Sequence, residues 1–355
     1  MRIVHWKASF ILAVAVLAPA ALCKAAEVPA RAGARAAPGP LVALLLPLDS
    51  SDFARPADAL LQGCKAAFSL TRNTPALEVQ STDGAGAHVV AQYEAAVGRG
   101  AAVVVGPLTR SAVSVLAGSG RISVPTLVLN SPEGVMPPNM YAFGLSIESE
   151  ARQVARAAFA EHLRHAVVVQ TATPLARRAS RAFADEWHSL GGDVIDAQEF
   201  GARTDFASLR NRMSHSAADL VFLAAGPAQA REVRPYLNSQ IPVFTTSQIN
   251  SGQTDALGNV DLDGVRFVEM PWLAQPDNLT AMVFPHAEAL PSELQRFYAF
   301  GIDACRIANE LLNRHVRVSL EGVTGNLSLN DDGTVEREGV QSVFRDGSAV
   351  ALEAR

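Results

Sequence analysis

The residues best placed to do chemistry are hydroxyls at the ends of apolar runs. In "VVVGPLTRSAV", residues 103–113, three valines lead into a Gly-Pro turn, and Thr109 and Ser111 stand where a helix should begin. Oxygens at that point have two uses. They cap the first helical turn by accepting its free N–H groups, or they meet a ligand at the carboxyl edge of a sheet, where open α/β folds bind. Both readings stay open on the residues alone. Reaction motifs are otherwise absent. No G-x-x-x-x-G-K-[ST] or G-x-S-x-G occurs, and "GAGAHV" at 84–89 starts like a dinucleotide fingerprint but lacks its third Gly. His162 and His165 in "EHLRH" have no carboxylate-His-Cys set around them and suit cations near a helix C-terminus. "NDDGTVE" at 330–336 is too short for a calcium loop, and Asp332-Gly333 predicts a hairpin turn. No metal, no cofactor and no enzymatic activity are expected.

The elements that must hold these hydroxyls follow from patterning. At 355 residues the chain exceeds one ordinary domain, so two lobes are expected. Hydrophobic residues reach 49% while aromatics are 6%, a balance that suits helices packed on buried parallel strands. A net charge of −5 gives no whole-chain attraction to nucleic acid, which is excluded as a partner. Apolar, mostly β-branched runs recur at 41–48, 77–83, 101–106, 125–130, 166–171, 193–200, 219–226 and 242–247, separated by stretches long enough for crossover helices. This predicts an α/β chain with doubly wound parallel sheets. Landmarks repeat as well. Gly106-Pro107 and Gly226-Pro227 lie 120 positions apart, and Pro125 and Pro242 lie 117 apart, so two copies of one βα architecture should face each other across a cleft. The shared Gly-Pro predicts a tight strand exit followed by Pro near a helix start.

Residues 1–23 form a signal-like segment: Arg2 and Lys7 precede "ASFILAVAVLAPAAL", too short and too soon interrupted for a membrane span. Two fates are open for Cys23. Cleavage before it makes a lipid acceptor, although Leu22 stands where such signals carry a small residue; cleavage within "CKAAEV" releases a soluble protein. Residues 24–40, rich in Ala, Pro, Gly and Arg, read as a flexible tether. An exported compartment permits Cys64 and Cys305 to pair, and two buried thiols is the other reading. The stretch at 173–187 predicts a helix with Arg177, Arg178 and Arg181 on one face and Ala and Phe positions toward a sheet. That basic face is a solvated surface or a partner-binding one.

The ordered set "LVALLLPLD", "VVVGPLTRSAV", "VPTLVLN", "YAFGLSIESEARQVA", "IPVFTTSQINSG", "LDGVRFVEMPWL", "FYAFGIDACRIANELL" and "GVTGNLSLNDDGTVERE" resembles the LppC/LpoA family over roughly residues 41–350. The most specific pieces are "MPWL" at 270–273, "YAFGIDA" at 298–304 and "GVTGNLSL" at 322–329. The resemblance implies a type I periplasmic-binding-protein fold with a hinge of several crossing strands. It also implies a non-catalytic periplasmic activator of peptidoglycan synthases, with a class A penicillin-binding protein as partner. A lipid on Cys23 would anchor such a protein to the outer membrane. Longer members carry an N-terminal helical-repeat domain, and this chain is expected to be a short form without it.

Solute-binding proteins that share this fold hold amino acids and amides in the cleft. The equivalent ligand-binding positions here are Asp49 and Ser50 beside Leu48, then Thr109, Asn130, Ser131 and Ser247, all at strand ends. A periplasmic receptor for an amino acid, amide or cell-wall fragment is therefore the alternative function. Family topology divides the chain into one lobe of 41–145 plus 276–328 and another of 146–275 plus 329–355. It brings Cys305 to the lobe of Cys64 and places Trp272 at a return crossing, as buried hinge packing or an exposed anchor.

Overall fold

A computed structural model describes residues 39–71, 74–252, 256–287, 290–313 and 318–352. The signal-like segment 1–23 with Cys23, and the tether as far as residue 38, lie outside the described residues. The first sheet is built from β1 (Leu41–Leu46), β2 (Ala76–Ser81), β3 (Ala101–Val105), β4 (Thr126–Val128) and β5 (Met140–Ala142). α1 (Ala54–Ser69), α2 (Val89–Gly98) and α3 (Arg110–Gly118) are its crossovers. All pairs are parallel, in the order β2-β1-β3-β4-β5.

α4 (Ile147–Ala160) opens a second set: β6 (His165–Thr171), α5 (Pro174–Ser189), β7 (Asp193–Phe200), α6 (Phe206–Ser214), β8 (Leu220–Ala224), α7 (Pro227–Val233), β9 (Val243–Thr245), α8 (Ala256–Asn259) and β10 (Arg266–Glu269). Its parallel strands run β7-β6-β8-β9-β10, the same order as the first sheet. The expected duplication is thus carried by topology. After it come α9 (Pro271–Ala274), α10 (Leu279–Met282), α11 (Ser292–Leu312), β11 (Ser319–Glu321), β12 (Asn326–Leu329), β13 (Val335–Glu338), β14 (Val340–Arg345) and β15 (Ser348–Ala351). β14 and β15 extend the second sheet antiparallel beyond β10, and β11-β12-β13 form a small antiparallel sheet whose β12–β13 turn contains Asp332-Gly333.

Strand residues alternate between two apolar cores, which is why these runs are apolar at nearly every position. In β1, Val42, Leu44 and Leu46 join α1 and α11, while Ala43 and Leu45 join α2 and α3. In β8, Val221 and Leu223 face α6 and α7, while Leu220 and Phe222 face α4 and α5. β7 departs from the rule because it is an edge strand with alternating exposure. α11 packs on α1 at very close range: a Cβ on Gly63 would strike the Tyr298 carbonyl, and one on Gly301 the Leu60 carbonyl. Beside that crossing Cys64 and Cys305 are joined in a disulfide, Cα to Cα 5.2 Å.

The two Gly-Pro landmarks are not equivalent. Gly226 caps α7 and Pro227 is its first residue, as expected. Gly106 instead has φ +103°, the Gly106-Pro107 bond is cis, and α3 starts only at Arg110. A side chain at Gly106 would collide with the Leu45 carbonyl on the neighbouring strand, so glycine is required there by close approach.

Candidate functional site

Thr109 is the N-cap of α3: its Oγ1 accepts from the Ala112 N–H (3.4 Å) and donates to the Gly84 carbonyl (2.6 Å). Ser111 donates to the same carbonyl at 3.3 Å. These hydroxyls therefore cap a helix and tie down the loop between β2 and α2. Asn130 donates from Nδ2 to the Leu108 carbonyl (3.3 Å) and accepts the Ser131 N–H at Oδ1 (3.0 Å). Ser50 accepts from the Phe53 N–H at the start of α1, 3.4 Å away, and Asp49 beside it is exposed. Ser247 sits after β9 in the second sheet, buried, its N–H on Glu150 (3.0 Å) and its carbonyl on Arg296 (3.2 Å).

Two cavities of about 510 Å³ lie near this region. One is lined by Leu48, Arg55, Asp58, Leu290 and Leu294, the other by Asn250, Trp272, His286, Pro291 and Gln295. Neither is lined by Asp49, Ser50, Thr109, Asn130, Ser131 or Ser247, so the six candidate residues do not converge on either space.

What does converge is the seam between the two sheets, which the chain crosses at 143–146, at 270 and at 339. Glu150 of α4 and Arg337 of β13 form a buried pair at 2.7 Å. Arg337 also donates to the Thr324 carbonyl at 3.1 Å. Gln153, one turn on from Glu150, donates to the Arg337 carbonyl (2.5 Å) and accepts the Gly339 N–H (2.9 Å), closing the β13 edge as a neighbouring strand would. Glu269, at the end of β10, pairs with Arg296 of α11 at 2.5 Å and accepts from Asn250 (2.8 Å) and the Met270 N–H (3.0 Å). Burial works against the Arg296 charge, but Glu269 outweighs it and holds the guanidinium above its ordinary value.

The two most specific motifs meet in the same region. Asp303 of "YAFGIDA" is fully buried. It accepts from the backbone N–H of Val323 (3.2 Å) and Thr324 (2.8 Å), from the Thr324 hydroxyl (2.6 Å) and from Arg306 (3.0 Å). Burial pushes its carboxyl above the usual range, against the pull of Arg306 and Thr324. Trp272 of "MPWL" is buried, stacked on His286 at 4.8 Å, and its backbone N–H donates to the Val323 carbonyl at 3.0 Å. It packs into the first apolar core just after the crossing at 270 and is not an exposed anchor.

The other candidates separate. On α5, Ala176, Ala179, Ala182 and Phe183 are buried as expected. Arg177 is paired with Glu199 (3.0 Å) and Arg178 with Glu148 (2.7 Å), while Arg181 is exposed, so two of the three charges are already answered within the chain. His162 follows α4 at φ +67°, and His165 lies 3.6 Å from Asp219. Among the described residues no group of three or more His, Cys, Asp or Glu could hold a metal ion, and no helix is long and apolar enough to cross a membrane. The seam residues Glu150, Gln153, Glu269, Arg296 and Arg337 are missing from the sequence-based candidates. Their signal was single ionisable residues inside apolar runs, as in "RFVEMPW".

Two parallel sheets of one repeated strand order, joined by a three-pass seam, define a type I periplasmic-binding-protein-like chain. Residues 5–347 match the family model described as "LppC putative lipoprotein", and the chain belongs to that family. The penicillin-binding protein activator LpoA of Edwardsiella piscicida is 28% identical over 338 residues, covering 82% of this chain and 48% of its own length. That of Glaesserella parasuis is also 28% identical, over 87% of this chain and 54% of its own length. The chain thus spans about half the length of the curated relatives it matches. Among solved structures, "Structure of a putative branched-chain amino acid ABC transporter" from Chromobacterium violaceum is 35% identical, with a TM-score of 0.74, over 86% of this chain and all of that one. The LpoA C-domain of Haemophilus influenzae, described as a regulator of PBP1A, has a TM-score of 0.74 at 23% identity. It covers 88% of this chain and all of that one, a likeness of fold.

Proposed function

We propose that this chain is a non-catalytic periplasmic regulator that activates a class A penicillin-binding protein by protein contact. The observation that carries the reading is the state of the strand ends. Groups a solute receptor of this fold would use on a ligand are engaged within the chain: the Thr109 hydroxyl and the Asn130 amide on backbone carbonyls, and the Ser247 backbone N–H on Glu150. Glu150–Arg337 and Glu269–Arg296 brace the seam that such a receptor opens and closes. Curated relatives described as penicillin-binding protein activators support the same reading. A lipid on Cys23 would hold the protein at the outer membrane, and the mass of the mature chain recovered from membranes tests that placement. The activity is tested by pull-down of a purified class A penicillin-binding protein, followed by transglycosylase and transpeptidase assays with and without this protein. Binding with a rate increase is expected; neither binding nor a rate change rejects the reading.

A second reading, a receptor for an amino acid, amide or cell-wall fragment, is favoured by one observation, the 35% identity to the Chromobacterium violaceum protein. A thermal-shift screen with amino acids, amides and muropeptides separates the two, since a ligand of the folded state raises the melting temperature in a saturable way. A flat screen is expected.

A further inference from the structure

α6 turns Leu209 and Met213 inward, which leaves Phe206 and Arg210 along one border of the helix. Phe206 stacks on Tyr236 with ring centroids 4.6 Å apart. Arg210 lies over the same Tyr236 ring at 4.9 Å and donates to the Pro235 carbonyl at 3.3 Å. The residue before Pro235 is Arg234, at the start of the single helical turn Arg234–Tyr236. It is half-buried, and its Nε is shut off from solvent without an acceptor. Neither Arg210 nor Arg234 forms an ion pair with a described residue.

Arg234 stands out against the other covered arginines. Arg296 and Arg337 are also removed from water, but Glu269 and Glu150 answer them. At Arg234 burial acts alone and holds the guanidinium below its ordinary value. A partly desolvated cation without a carboxylate carries an uncompensated cost, and the part of the guanidinium that still meets solvent is where a partner's carboxylate could offset it. Arg210 over the Tyr236 ring, with Arg234 in the same helical turn as that tyrosine, also brings together residue types that dominate binding energy in protein interfaces. The patch is too small for a lipid surface, for which clusters of about four to eight Lys or Arg are typical. It also sits on a chain of net charge −5, which disfavours a broad anionic partner.

We propose that Arg210, Arg234 and Tyr236 form a docking site for an acidic segment of a protein partner, with a carboxylate of that segment reaching Arg234. The inference rests on the reading of the chain as a synthase regulator and names the surface through which contact is made. It replaces the α5 face, where Arg177 and Arg178 already hold their own carboxylates.

The test is the equilibrium affinity of the full chain for a purified class A penicillin-binding protein at low and moderate salt. R210E, R234Q and the control R177A/R178A are measured beside wild type, with thermal melts of each. R210E and R234Q should each raise Kd about tenfold or more and flatten its salt dependence, while R177A/R178A stays near wild type. R210E alters an exposed side chain, so it keeps the test alive if R234Q fails to fold. Wild type that does not bind the synthase overturns the functional reading and this site with it. Wild type that binds, with R210E and R234Q binding equally well, overturns the docking site alone. The same holds if the two variants lose binding only to vesicles containing phosphatidylglycerol, since the patch would then belong to a membrane surface.

Discussion

Arg337 and Glu150 meet at 2.7 Å inside the seam, joining the strand that closes the small third sheet to the helix that opens the second half of the molecule. The pair is not isolated. Glu150 also receives the Ser247 N–H, and the Ser247 carbonyl receives Arg296, so the contact runs on to Glu269. Acceptors and donors from α4, β10, α11 and β13 thereby share one buried network. The relative orientation of the two sheets is over-determined by it.

Breaking that pair on one side should be costly, because the survivor is left as a buried charge. R337M or E150Q is expected to lose about 3–5 kcal/mol of stability. The double replacement E150M/R337M should recover part of that loss, since neither charge then remains. Urea denaturation of the two single variants and the double variant checks this. Single variants within 1 kcal/mol of wild type, on the scale of surface pairs, would show that the seam is wet and the network idle.

Glu148 supplies an acid-sensitive contact on the second half. Burial would raise its carboxyl, but the bond from Arg178 and the Ser146 hydroxyl outweigh burial and bring it to about 2, below its usual 4.5. A carboxylate held low in the folded state stabilises above the unfolded value and loses that contribution as pH falls through the folded one. The stability gap between wild type and R178A should therefore be full at pH 7 and shrink between pH 4.5 and pH 2. Thermal melts across that range measure it, and a gap that persists at pH 2 would assign the effect of R178A to lost packing.

The sheets were legible in the sequence because their strands are buried on both faces. β1, β3, β6 and β8 read as unbroken apolar runs, and the repeat of Gly-Pro and of Pro125 with Pro242 pointed to two halves of one topology. β5, with three residues, is too short to carry a pattern. β14 and β15 join a parallel sheet in the antiparallel sense, which no local periodicity announces. The candidate site was legible only as chemistry, not as geometry. Thr109 and Asn130 do lie at strand ends, but which partner a hydroxyl or amide there takes is decided by loops such as the one carrying Gly84, distant in sequence. The seam escaped for a similar reason. A lone Glu150 or Arg337 looks like a solvated charge until the fold brings the two together across 187 positions.

Thr109 offers a direct separation of the two uses of a strand-end hydroxyl. If it caps α3 and ties the Gly84 loop, T109A should cost about 1–2 kcal/mol and T109S should restore most of it. Neither substitution should change the response to amino acids or muropeptides in a thermal-shift screen. A stable T109A that abolishes a wild-type ligand shift would move this residue back to the receptor reading.

The disulfide sets the last expectation. Cys64 and Cys305 join α1 to α11 across a sequence separation of 241, so the bond removes a very long loop from the unfolded chain. Chain-entropy arithmetic for a loop of that length gives about 5 kcal/mol, with native-state adjustments acting to reduce it. Both cysteines are fully buried in the first half's apolar core, where alanine fits without a new polar group. C64A/C305A should therefore fold but melt lower, by roughly 10 °C for a chain of this size. Wild type treated with reductant should follow it once the bond is reached. Calorimetry of oxidised, reduced and C64A/C305A protein makes the comparison. Melting of all three within 1 °C would mean that the α1–α11 contact through Gly63 and Gly301 carries this junction without the covalent link.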